Sequence, residues 1–443
     1  MHSRRDTLSD FINGPLKGDA EELQVARDVL SGMRSSSGGE VDKSGSEAAR
    51  RRDFLIKDRP ALFDYQMEVV SSCERHFRSG QNEVMISIPT GGGKTRTALW
   101  LYRRLLNKFG QFRMLWVAPS RELVDQAVVS LEELWGTYRP CPSIQVVTND
   151  IGRIPRSKEA DGVIVFCTTQ LASRRLPQIR SFNPSLLVFD EAHHATARTC
   201  RKIISTVCQS ENAYVVGLSA TPGRSDPEES DDLSGIFSGR LIAPRLLGND
   251  PVRSLQQRGV LSQVELRQIE LPRAWDAVRV RGGIERSLSL SELACNSARF
   301  WAAIDTICLV AKSRRCLVFG ASIAHCQAIT AVLVARGYRA HVLSHMLEQS
   351  KRDSIIAQFR AGSVDVIVNT NILSAGFDLP ELEDVVLATP IRSPIYWEQI
   401  MGRVSRGPLV GGGRNARVWE LDDHASLHQR VLGSQRFAGD HWE

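Results

Sequence analysis

The sequence lacks the marks of a secreted, membrane-spanning or zinc-held protein. No apolar run approaches the length of a membrane helix, and the N-terminal MHSRRDTLSD has no hydrophobic segment of the signal-peptide kind. The nine cysteines are scattered, with no CxxC pair and no Cys/His spacing that suits zinc. Cys167, Cys308 and Cys316 sit in apolar runs and read as small core hydrophobes of a reducing compartment, so the expected location is cytoplasmic, with no membrane partner. No short repeat unit recurs, although the two halves could share one topology. A strong charge of either sign is also missing: the formal net charge is +6 and the pI near 8.9. That balance permits a polyanionic partner, nucleic acid above all, without demanding one. What remains is a chain of 443 residues, 42% hydrophobic and 24% charged, suited to two or three soluble globular domains.

Residues 1–55 stand apart. DAEELQVARDVL can form one amphipathic helix, whereas SGMRSSSGGEVDKSGSEAARRR has the composition of a flexible linker. The cluster Arg50, Arg51, Arg52 reads as a solvated linker end, with a nucleic-acid contact as the alternative. Over 56–240 short β-branched runs alternate with helical stretches: VMISIP, RMLWVAP, IQVVT, GVIVFCT, LLVFD and YVVGLSA. Buried strands alternating with helices imply a parallel sheet covered on both faces. The rhythm pauses over 241–290, expected to be a connecting segment, where LPRAWDAVRVRGGIERS shows no clear period. It resumes over 291–437 with CLVFG, RAHVLS, VDVIVNT, VVLATP and ARVWEL, and 438–443 forms a tail. Two α/β domains in tandem follow from this pattern.

The stretch IPTGGGKT, residues 88–95, joins a short apolar run to a helical one through three glycines. A strand that passes through a glycine turn into a helix N-terminus is a place to hold phosphate. Glycines let the backbone come close and aim its N–H groups, and the helix end adds partial positive charge. Lys94 is then expected to reach the terminal phosphates of ATP, and Thr95 to ligate Mg²⁺. The opening position of the usual pattern, Gly or Ala, is Ile88 here. LLVFDEAHH supplies the carboxylates such a site needs, placed where an apolar strand ends. Asp190 is expected to hold Mg²⁺ through water, and Glu191 to orient and deprotonate the attacking water. His193 and His194 lack further ligands at zinc spacing, and His193 reads instead as a polar link from the ATP site to the rest of the molecule.

Together with LFDYQ (Leu62 to Gln66), SAT (Ser219 to Thr221), NTNILSAGFDLP (Asn369 to Pro380) and QIMGRVSR, these motifs resemble the superfamily-two helicases and translocases with DEAH-type boxes. The resemblance, to the XPB-like and restriction-enzyme-motor branches, runs from about Leu62 to about Leu421 with the motifs in family order. It implies an α/β fold of two tandem RecA-like domains, each a mostly parallel sheet with helices on both faces. It also implies that Gln66 reads the adenine edge, with Phe63, where the family often has Arg, stacking on the purine. Pro89, Thr90, Gly91, Gly92, Gly93, Lys94 and Thr95 would line ATP, joined by Gly376 and Asp378. Ala375 replaces an acidic residue often found in that motif. Ser219, Ala220 and Thr221 would couple hydrolysis to strand movement. Gln399, Arg403 and Arg406 would complete the catalytic set from the second domain. Arg403 and Arg406 lie three apart on one helix and share a face, so they can address one ligand across a cleft that ATP closes.

The expected nucleic-acid contacts are Ser120 and Arg121; Thr168, Thr169 and Gln170; Ser322; and Thr370, most of them at strand-to-helix junctions. Ser and Thr at such places are equally ordinary N-caps. Aromatic base stackers, Trp397 among them, are not assignable, and most of the eight tryptophans read as core. The function implied is an ATP-dependent translocase or helicase on DNA, less so RNA. An ATP-driven polypeptide motor and a nucleic-acid-binding ATPase switch without unwinding are the alternatives. QRVLGSQRFAGDHWE reads as a short finish after the last motif. From it follows the expectation of a protein partner that supplies specificity in a repair, restriction or phage-defence assembly.

Overall fold

A computed structural model describes residues 62–137, 142–149, 161–195, 198–208, 213–223, 227–271, 296–312, 315–344, 346–370, 382, 384–391, 394–421 and 442. The N-terminal helix expected in DAEELQVARDVL and the arginines at 50–52 lie outside them.

Lobe one begins with α1 (Asp64–Arg78), whose Tyr65, Val69, Val70, Cys73 and Phe77 recur at helical spacing and are buried. It continues through β1 (Glu83–Ser87), α2 (Lys94–Phe109), β2 (Phe112–Ala118), α3 (Arg121–Thr137), β3 (Ile144–Thr148), β4 (Gly162–Thr168), α4 (Thr169–Arg174), α5 (Leu176–Phe182), β5 (Leu186–Phe189), α6 (Arg198–Val207), β6 (Tyr214–Ser219), α7 (Pro227–Ile236), β7 (Leu241–Ile242) and α8 (Pro251–Gln257). Its sheet runs β3-β4-β2-β5-β6-β1-β7. The pairs are parallel. Successive strand residues feed opposite cores: Val84 and Ile86 pack with Trp116 on one face, and Met85 with Leu115 and Val117 on the other.

Lobe two comprises β8 (Gln263–Ile269), α9 (Ser297–Ala311), β9 (Cys316–Phe319), α10 (Ile323–Ala335), β10 (Ala340–Leu343), α11 (Gln349–Arg360), β11 (Val366–Asn369), β12 (Asp384–Leu387), α12 (Pro394–Val404) and β13 (Asn415–Leu421). Its sheet, β10-β11-β9-β12-β13-β8, is again parallel. Cys316 and Val318 face one core, Leu317 and Phe319 the other. Helices lie on both faces of each sheet, as the alternating pattern requires.

The stretch 241–290 is not a plain connection. β7 extends the first sheet beside β1, and Leu247, Leu255, Val260 and Leu261 enter the lobe-one core. β8 closes the edge of the second sheet, pairing with β13 from Gln263↔Asn415 to Ile269↔Leu421. Both strands escape the sequence pattern for a physical reason. β7 is two residues long, and β8 is a largely exposed edge strand with polar residues between its apolar ones. Residues 272–295, including most of LPRAWDAVRVRGGIERS, lie outside the described residues. Among the described residues no helix is long and apolar enough to cross a membrane.

Candidate nucleotide site between the lobes

Three loops leave the carboxyl ends of neighbouring strands in lobe one. β5, β6 and β1 are adjacent, with Ser87 opposite Ser219 and Phe189 opposite Gly217. The glycine turn, the Asp190–Glu191 pair and the Ser219–Thr221 stretch therefore rise side by side at the sheet edge where open α/β sheets bind ligands.

The turn itself is shaped by what cannot be there. Gly91 and Gly93 have φ of 82° and 88°, the left-handed region that a side chain disfavours. A Cβ on Gly92 would lie 2.6 Å from Ile88 Cγ2, and one on Gly93 would lie 2.2 Å from Gln66 Nε2. Ile88 is fully buried and fills the space under the turn, which accounts for a large residue at that opening position. Gly93 caps α2, and Lys94, 9% exposed, starts it, with Thr95 next.

Gln66 and Tyr65 clamp the turn from α1. The Gln66 side chain donates to Gly92 O at 3.0 Å and to Gly93 O at 3.4 Å, and its Oε1 accepts from Phe63 N at 2.9 Å. Tyr65 OH donates to the same Gly92 O at 2.8 Å. Gln66 thus braces the phosphate loop. Phe63 stacks on Tyr65 with ring centroids 5.7 Å apart and planes at 9°. Tyr65 stands inside LFDYQ, but its phenol shows a role only once α1 lies against the turn.

Asp190 is buried, 4% exposed, and its carboxyl is pushed up to about 7 by desolvation and by the Glu191 charge, with Lys94 pulling the other way. Glu191 follows in the left-handed region, φ 48° and ψ 52°, a conformation a non-glycine residue holds only where the surroundings impose it. Its Oε2 lies 3.3 Å from His193 Nδ1, and the same nitrogen lies 3.4 Å from Ser219 Oγ. Ser219 Oγ also donates to Thr221 O at 2.8 Å. His193, 2% exposed, therefore sits between the acidic pair and the Ser219-Ala220-Thr221 stretch. Among the described residues no group of three or more His, Cys, Asp and Glu could hold a metal ion on its own.

Lobe two meets this site through α12. A Cβ on Gly402 would fall 2.0 Å from Thr90 Cγ2, and one on Gly91 would fall 3.1 Å from Gly402 O, so α12 lies on the phosphate loop. Arg406 lies two residues past the end of α12, bridged to Leu261. It therefore does not share a helix with Arg403 as the spacing predicted: the helix stops at Val404, where the chain turns to pair with 260–262. The side chains of Gln399 and Arg403, and residues Gly376 and Asp378, lie outside the described residues.

The expected nucleic-acid residues form two groups away from the phosphate loop. In lobe one, Thr169 Oγ1 donates to Ala118 O at 3.2 Å, tying the loop before Ser120 and Arg121 to the loop with Thr168 and Gln170. In lobe two, Gly320 N donates to Asn369 O at 2.9 Å, joining the approaches to Ser322 and Thr370. Thr168 and Ser322 act as N-caps, accepting from Leu171 N at 3.3 Å and His325 N at 3.1 Å, and Ser120 Oγ accepts from Leu123 N at 3.4 Å. Between the lobes, Arg352 of α11 pairs with Glu122 of α3 at 3.5 Å.

Comparison with known proteins accords with this geometry. The family model of the type III restriction enzyme res subunit matches residues 59–224, and that of the helicase conserved C-terminal domain matches 299–407. IRC3 of Saccharomyces cerevisiae, named as an ATP-dependent helicase, is 25% identical over 356 residues, 78% of this chain and 49% of that protein. The DNA 3'-5' translocase XPB2 of Sulfurisphaera tokodaii is 23% identical over 382 residues, 80% of each chain. The ATP-dependent type ISP restriction-modification enzyme LlaBIII bound to DNA superposes with a TM-score of 0.58 at 16% identity, over 86% of this chain and 30% of that one. The chain spans 49% to 61% of the length of the first curated relatives it matches. Two family models in tandem, set on two parallel sheets with a phosphate loop in one and an arginine-bearing helix from the other laid across it, show that the chain belongs to the superfamily-two helicases, in the branch of XPB-type translocases and restriction-enzyme motors.

Proposed function

We propose that this chain is an ATP-driven motor on nucleic acid, hydrolysing ATP between its lobes and moving along DNA. The observation that carries the reading is the seating of α12 on the phosphate loop, with Gly402 against Thr90. A nucleotide held by lobe one is then within reach of groups from lobe two, and only such shared contacts let binding and hydrolysis change how the lobes stand.

The residues fit the substrate and its metal. The glycine turn leaves no room for a Cβ, as a cradle for phosphates requires, and Lys94 and Asp190 are buried beneath it. Thr95 and Asp190 would hold Mg²⁺, which when bound supplies charge neutralisation at the phosphates. Lys94 binds the terminal phosphates. Glu191 orients the attacking water and takes its proton, with the His193 ring beside its carboxylate. Arg403 and Arg406 stabilise the charge that builds on the transferred phosphoryl group, a contribution of roughly a thousandfold or more in rate for such arginines. Gln399, Gly376 and Asp378 complete the ATP contacts, with Phe63 and Gln66 at the base. Ser219, Ala220 and Thr221, reached through His193, pass the state of the site to the loops that carry Ser120, Arg121, Thr168, Thr169, Gln170, Ser322 and Thr370.

DNA is favoured over RNA because an aligned relative is named a DNA translocase. The reading includes a cytoplasmic location, which the seven free cysteines among the described residues favour. A partner protein supplying specificity in repair, restriction or phage defence completes it. ATP turnover measured against single- and double-stranded DNA and RNA tests the whole: stimulation by DNA, abolished in Lys94→Ala and Glu191→Gln, is expected. Wild-type turnover indifferent to every polynucleotide would overturn it.

A further inference from the structure

We infer that residues 258–262 form a positioning strap that seats the Arg406 loop over the phosphate loop, with Ser262 the positioning residue for Arg406. The inference rests on the ATP-motor reading for what Arg406 does, and on the geometry alone for where it is held.

The strap belongs to lobe one by packing. Val260 and Leu261 are 1% and 3% exposed in the lobe-one core. Leu261 Cδ2 stands 2.8 Å from where a Cβ of Gly91 would be, and Leu255 Cδ1 stands 3.3 Å from where one of Gly92 would be. The strap thus lies directly against the glycine turn. At its start, Arg258 donates to Asp64 Oδ1 at 2.6 Å and to Leu246 O at 3.2 Å, with its guanidinium 6.0 Å from the Tyr65 ring. One short segment therefore touches both the phosphate end and the base end of the nucleotide site.

By hydrogen bonding the same segment belongs to lobe two. Gly407 N donates to Val260 O at 2.9 Å, Leu409 N to Gly259 O at 3.0 Å, and Ser262 N to Ser405 O at 2.9 Å. Leu261 and Arg406 form an antiparallel bridge. The Ser262 hydroxyl, on a residue 1% exposed, lies 2.5 Å from Arg406 O and 2.7 Å from Gly413 O. Its single proton is shared between the carbonyls of two half-buried residues. Three backbones meet here so closely that side chains are excluded. A Cβ on Gly407 would fall 2.3 Å from Gly259 O, and one on Gly412 would fall 1.8 Å from Arg406 O.

The backbone of Arg406 is thereby fixed from lobe one, at the residue next to those that touch the phosphate loop. An arginine that must meet charge developing on a phosphoryl group tolerates little misplacement; a shift of about 1 Å costs on the order of a hundredfold in rate. Ser262 acts on that chemistry only through Arg406.

The test uses the full chain. Ser262→Ala is expected to lower polynucleotide-stimulated kcat roughly 10–100-fold, leave the KM for ATP within about twofold and lower the melting temperature by only about 2–4 °C. In an Arg406→Ala background the same change should lower kcat no further. Hydrogen exchange across 405–409 should speed up in Ser262→Ala without nucleotide. Ser262→Cys keeps the shape with a slightly larger, weaker donor, and should shift kcat and exchange in the same direction if the alanine variant does not fold. Wild-type kcat in these variants, an equal loss in the Arg406→Ala background, or unchanged exchange across 405–409 would each overturn the inference. Absence of turnover in the wild-type chain would instead remove the ATPase reading, and the exchange comparison would still decide the strap.

Discussion

Two donors converge on one buried carbonyl, and that convergence makes a quantitative prediction. Tyr65 OH and Gln66 Nε2 lie 2.8 and 3.0 Å from Gly92 O, and both residues are buried. Tyr65→Phe removes one neutral hydrogen bond, worth about 1 kcal/mol, and leaves the carbonyl satisfied by Gln66. Gln66→Ala removes the other, together with the bond to Phe63 N and the long one to Gly93 O, and costs about 2 kcal/mol while Tyr65 still serves Gly92 O. In the double variant the carbonyl loses both donors, and an orphaned buried acceptor adds about 1–2 kcal/mol beyond the sum. The expected total is therefore about 4–5 kcal/mol rather than about 3. Urea unfolding of the four proteins gives the cycle, and titration with a fluorescent ATP analogue reads the same coupling at the phosphate loop, where 1.4 kcal/mol is about tenfold in affinity. Additivity within about 0.5 kcal/mol would refute the shared-acceptor argument.

Two further outcomes follow. Gly402→Ala places a methyl 2.0 Å from Thr90 Cγ2 and 3.0 Å from Thr90 C, so α12 must withdraw. ATP binding should persist while kcat falls on the order of a hundredfold, and a variant with normal turnover would show that the lobes work at a different separation. For Asp190, folding raises the carboxyl from 3.8 to about 7 through burial and Glu191, so between those values the folded chain keeps a proton the unfolded chain has lost. Stability without nucleotide should then fall as pH rises through that window and level off above it. Asp190→Asn should abolish that fall, gaining on the order of 2–4 kcal/mol over wild type at pH 8. Parallel pH profiles of the denaturation midpoint for the two proteins would count against it.

Much of this protein is legible along the chain because the features are local. An apolar run such as RMLWVAP has the pattern of a strand buried on both faces, and it appears as β2; IPTGGGKT needs only its own strand and helix to become a phosphate loop. The acidic pair at 190–191 and the hydroxyls at 120, 168 and 322 likewise sit at strand ends that the apolar pattern marks. The link 258–262 left no such trace. Its residues carry no motif, β7 is too short and β8 too exposed for a hydrophobic period, and Ser262 in the sequence is one serine among many. Its place emerges only when β8 pairs with β13 and brings Gly407 and Gly413 against it. Periodicity and glycine chemistry act over a few residues and are written in order along the chain. Hydrogen bonds between residues about 150 apart, such as Ser262 to Arg406 and Gly413, depend on where two sheets come to rest, and only the packed tertiary structure decides that.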